Sequence, residues 1–146
     1  MASNMVFSFR VLENNARNYI LQAIGADATT TTAATQDGNS TGIIAANGYT
    51  PTVHLKVRRI LYSTWNCVAL LQWHASSNVN LAMLNGYGDL NMTDKLGMSP
   101  QGIWDDAGSG ISGDIDLYSY ALATVTGGSG LVTASMTLVL FCTKGA

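Results

Sequence analysis

Charge is what this chain has least of. Only 11% of its 146 residues are Asp, Glu, Lys or Arg, against roughly 25% in an ordinary soluble domain. Seven Lys and Arg face nine Asp and Glu, for a net charge of −2. No basic run exists beyond the pair Arg58-Arg59, which argues against binding nucleic acid by neutralising phosphates. Cysteine is almost absent: Cys67 and Cys142 both sit in apolar stretches and read as small buried hydrophobes. No apolar run approaches the 18 or so residues of a membrane span. The start MASNMVFSFR lacks the basic-then-hydrophobic order of a secretory signal, so synthesis and folding in the cytoplasm are expected.

Catalytic and metal-binding signatures are also missing. His54 and His74 stand in separate segments, with no CxxC or HxxxH spacing, whereas zinc needs three or four convergent ligands. No G-x-S-x-G elbow occurs; Gly108-Ser109-Gly110 lacks the strand-then-helix flanks. Asp105, Asp106, Asp114 and Asp116 lack the calcium-loop spacing and read as a solvated edge with a turn. No enzyme, cofactor or small-molecule substrate is expected.

What the chain does have is period-two alternation. In LVTASMTLVLFCTK, residues 131–144, Ala134, Met136, Leu138, Leu140 and Cys142 fall on one face. The opposite face turns apolar at Val139 and Phe141, as in a strand at the centre of a sheet or under a subunit contact. Met5 to Leu12 places Met5, Phe7, Phe9 and Val11 on one face; Arg17 to Ile24 can be a second strand or a short helix, and the β-rich context favours the strand. Thr41 to Ala46 is a short strand candidate. Thr52 to Ser63 alternates until Arg59, after which Ile60 and Tyr62 continue in the other phase, the pattern of a β-bulge. Trp65 to His74 is apolar on both parities at 68–71, as in a strand covered on both sides. Val79 to Leu84 is a strand, Gly86 to Leu90 a turn, and Gly113 to Tyr120 a strand.

Between the second and third strands lies ADATTTTAATQDGNS, residues 26–40, a low-complexity polar stretch that reads as a long loop or arm. Eight to ten short strands with little helix predict one all-β domain over residues 1–146, an antiparallel β-sandwich. Eight strands in two Greek keys would make it a jelly roll. Low charge with 47% apolar residues points to surface hidden by self-association.

The order from Trp73 to Lys144 carries a resemblance. A strand with Trp leads to LNGYGDLNM, then GSG, SGDIDLYSY at 112–120, and a GGSG turn into MTLVLFCTK. This resembles the capsid decoration (cement) proteins of tailed bacteriophages, which have jelly-roll-like folds. The resemblance implies a homotrimer on the outer capsid surface, partnered by the major capsid protein, with no catalytic residue. A head-fibre or tail-tip module that binds a receptor or glycan is the alternative. The candidate contacts are Phe7 and Phe9 in the N-terminal segment, the 26–40 arm, the Arg58-Arg59 pair at the bulge, and Trp104 in an irregular segment.

Overall fold

The computed structural model describes residues 5–27, 36–92, 103–104, 108–122 and 134–144. Among these residues ten strands follow in order: β1 (Met5–Asn14), β2 (Asn18–Asp27), β3 (Gln36–Ser40), β4 (Lys56–Trp65), β5 (Cys67–Trp73), β6 (Val79–Leu84), β7 (Tyr87–Asn91), β8 (Ile103–Trp104), β9 (Ile115–Ala121) and β10 (Ala134–Thr143). They form two antiparallel sheets. The larger runs β1-β2-β10-β4-β7, with β8 also on β4; the smaller runs β3-β9-β5-β6. Together they make a β-sandwich, as the strand pattern predicts.

The pairings nest. β2 pairs with β10, β3 with β9, β4 with β7 and β5 with β6. Successive pairs alternate between the larger and the smaller sheet. The chain therefore behaves as one long antiparallel ribbon wrapped around a core. That core contains Tyr19, Leu21, Ile60, Leu71, Trp73, Leu117, Leu138 and Leu140, each at most 1% exposed. β10 lies in the centre of its sheet, with every even-numbered residue buried and every odd-numbered one half-buried. Its alternation in sequence is the direct trace of that position.

The phase change near Arg59 is a bulge. On β10, Phe141 pairs with Arg59 and Cys142 with Val57, so Arg58 is the extra residue. The insertion lets Val57 and Ile60 both face the core although their parity differs. A sharp junction follows. Asn66, with φ at 56°, turns the chain from β4 in the larger sheet to β5 in the smaller, and asparagine tolerates that left-handed conformation. Trp65 therefore closes β4 and is not the first residue of the next strand.

Three expected features differ. Both ends of the 26–40 stretch are strands: Ala26 and Asp27 end β2, and Gln36 to Ser40 form β3; residues 28–35 lie outside the described set. Thr41 to Ala46 is not a strand. The N–H groups of Gly42, Ile44 and Ala45 are taken by side-chain carboxylates, leaving a turn and a 3-10 segment over Ala45–Asn47. The segment read as a turn at 86–90 is mostly β7. Its weak alternation reflects a half-exposed strand beside β4, where few side chains need the core.

Candidate functional site

Three surfaces carry the chemistry of this fold. The first is a polar knot where Asp114 and Asp116 meet two loops. Four consecutive N–H groups donate to the segment 114–116. Gly42 reaches Asp116 Oδ1 at 2.8 Å and Ile43 reaches the Ile115 carbonyl at 2.9 Å. Ile44 reaches Asp114 Oδ1 at 2.9 Å, and Ala45 reaches Asp114 Oδ2 at 3.3 Å. Asp116 also accepts from Asn78 Nδ2 at 2.8 Å and from His74 Nδ1 at 2.9 Å. A carboxylate only accepts, so Nδ1 carries the proton. Asp114 is 7% and Asp116 1% exposed. The solvated-edge reading of these residues is thus incorrect: loops distant in sequence cover both and satisfy their oxygens. The knot pins two loops to the smaller sheet. Among the described residues no group of three His, Cys, Asp or Glu is placed to hold a metal ion.

The second surface is the outer face of the smaller sheet. Val68 and Leu70 of β5 stand across from Tyr120 and Tyr118 of β9, and Leu70 stands across from Met83 of β6. With Ala121 and Leu122 they line an open groove of about 400 Å³. Met83 is 66% and Leu122 48% exposed, while Leu70 at the floor is buried. No Lys or Arg occurs in β3, β5, β6 or β9. The apolar run at 68–71 therefore has one parity in the core and the other in this groove. The run itself was the sequence signal; Met83 and Leu122, from separate segments, left none.

The third surface is the outer face of the larger sheet, which differs at its two ends. At one end Trp65 and Tyr87 project from neighbouring strands, 58% and 87% exposed. At the other end β2 and β4 begin and β10 finishes, and cations gather. Lys56 stands across from Thr143, Arg58 occupies the bulge, and Arg17 adjoins Lys144 through a 2.7 Å backbone hydrogen bond; the Lys144 ammonium donates to Asn14 Oδ1 and lies over the Tyr49 ring, 4.3 Å from its centre. Arg59 grips Asp89 with two bonds, Nε to Oδ1 at 2.8 Å and Nη2 to Oδ2 at 2.7 Å. Both guanidinium carbons lie 5.4 Å from the Phe141 ring centre, within cation–π range.

The expected contact residues are dispersed by this geometry. Arg58 and Arg59 share one ring. Phe7 and Phe9, with ring centres 6.3 Å apart, pack against the rim of the core; Phe7 lies under Gly25 and Gly38. Trp104 contributes its backbone to β8, opposite Lys56, and its side chain lies outside the described set. Cys67 and Cys142 are buried thiols, not joined in a disulfide. Burial pushes the Cys142 thiol up to about 12, partly offset by Arg58. Comparison with protein-family models gives no match, and comparison with curated proteins gives none either.

Proposed function

We propose that this chain is a structural protein of a virus particle: a decoration protein that binds the outer surface of a tailed phage's major capsid protein shell as a homotrimer and stabilises it. The nested strand pairing supports a jelly-roll reading of the sandwich. The observation that carries the proposal is the groove of Val68, Leu70, Met83 and Tyr120. A second copy fits it best, because a face without Lys or Arg is covered without stripping water from a cation. Three copies would then offer three footprints to the shell, and avidity would replace any single strong contact. In this reading the chain is no catalyst and takes no cofactor.

Light scattering of the purified protein tests the assembly. The expected mass is three times that of the monomer, and Met83→Lys should lower it. A monomeric wild-type chain would remove the trimer. Occupancy on emptied capsids tests the rest.

The exposed pair Trp65 and Tyr87 favours a second reading, a head-fibre or tail-tip module that binds a glycan or receptor. Exposed aromatic rings on neighbouring strands suit sugar rings. A glycan-array signal lost on Trp65→Ala would select it over the decoration role.

A further inference from the structure

Of the seven Lys and Arg in the chain, five stand at one end of the larger sheet: Arg17, Lys56, Arg58, Arg59 and Lys144. Among the described residues, the carboxylates at that end are Glu13 and Asp89. Glu13 Oε1 accepts from Asn15, and Asp89 is held by Arg59. Among the described residues, this end of a chain of net charge −2 thus carries a surplus of positive charge.

Arg58 and Arg59 make an informative pair. They flank the same Phe141 ring at the same 5.4 Å. Arg59 demonstrates what a guanidinium on this surface does, gripping a carboxylate through two parallel bonds. Arg58 has the same ring beneath it but no carboxylate among the described residues. The bulge puts it there, since without the inserted residue only Arg59 would stand across from Phe141.

We propose that Arg58 is a receptor for a carboxylate of an acidic partner protein, and that this corner of the larger sheet is the face turned to that partner. A protein carboxylate suits the site better than a nucleic acid. The one anion already bound here is an aspartate, and the surface is a pleated sheet face with Phe141 and Ile20 side by side, not a groove that tracks a phosphate backbone. The inference rests on the decoration reading in one respect: it makes this corner the side that meets the shell, while the groove on the opposite face meets the neighbouring copy.

The test is fluorescence anisotropy with a labelled deca-glutamate peptide at low salt, using the full chain. Wild type should bind, and binding should fade between 50 and 300 mM salt, on the order of the range over which the Debye length halves. Arg58→Gln should weaken binding about tenfold, the loss of one charge-assisted contact. Arg58→Lys should fall between, keeping the charge but losing the fork. Asp89→Asn should strengthen binding by freeing the Arg59 fork. Arg10→Gln, on distant β1, should change nothing. Unchanged binding by Arg58→Gln, or equal affinity for a ten-nucleotide oligothymidine, would overturn the proposal. Occupancy on emptied capsids is read separately. Peptide binding lost in Arg58→Gln without capsid binding by wild type would keep the carboxylate receptor and reject the decoration reading.

Discussion

The His74 imidazole is 47% exposed, yet its Nδ1 lies 2.9 Å from Asp116 Oδ2, a carboxylate side chain that is 1% exposed. The pair joins water to the interior, and its two members contribute unequally. Asp116→Ala leaves the Gly42 N–H without its side-chain acceptor and removes the shortest bond of the Asn78 amide. It should cost about 2–4 kcal/mol of stability. His74→Asn removes only a half-solvated contact and should cost about 0.5–1 kcal/mol. Urea midpoints of the two variants check the order; an equal loss would mean that the loop carrying Gly42 is not held by Asp116.

Glycine is required at one turn by contact and at another only by backbone conformation. A Cβ at Gly113, where φ is +80°, would lie 1.8 Å from the Thr52 carbonyl oxygen. At Gly86, with φ +91°, a Cβ would meet nothing within 4 Å. Gly86→Ala should cost only the left-handed strain, about 1–2 kcal/mol. Gly113→Ala should displace the 52–53 backbone and prevent folding to a soluble product. Expression and circular dichroism of both variants distinguish the two.

Alkaline pH should destabilise the fold. Burial pushes the Tyr19 hydroxyl up to about 12, with Cys142 and Asp114 adding to the shift; the hydroxyl donates to the Asn47 carbonyl at 2.6 Å. A folded pKa above the unfolded value of 10.0 means that the native state keeps its proton longer. The stabilisation is complete below pH 10 and is lost as the pH rises towards 12. Cys142, raised from 9.0 to about 12, opens the same loss about one pH unit earlier. Stability measured from pH 8 to 11.5 should fall throughout, and Tyr19→Phe should make the slope shallower above pH 10.

The same burial makes both thiols unreactive. Cys67 Sγ lies 3.3 Å from the Ser135 carbonyl, to which it donates, and Cys142 is fully enclosed. A thiol reagent at pH 8 should label neither in the folded protein and both in urea. Rapid labelling of Cys142 without denaturant would show that the β4–β10 seam opens locally.

How far sequence carried the reading depends on where each residue's partners lie. β10 was legible because its two faces meet different media along its whole length. The Arg58 bulge was legible because Val57 and Ile60 must both reach the core, which alternation alone forbids. Asp114 and Asp116 were misread because their partners, Gly42, Ile44, His74 and Asn78, belong to loops that only the tertiary fold brings near. The groove was half legible: Val68 and Leu70 announce an apolar outer face, whereas Met83 has a neighbour only once β6 pairs with β5. Arg58 and Arg59 could not be told apart until Asp89 arrived on β7.

The nested pairing also fixes an order of events during synthesis. β2 emerges from the ribosome early, but its inner neighbour β10 follows only after about a hundred further residues. Until then β2 and β4 each present a bare edge where the central strand belongs. The seam is closed by the strand made last of the ten, inserted between two that have waited for it. A chain that stalls before Ala134 would therefore be a template for other chains, and swift completion or sequestration of the nascent protein becomes part of making it.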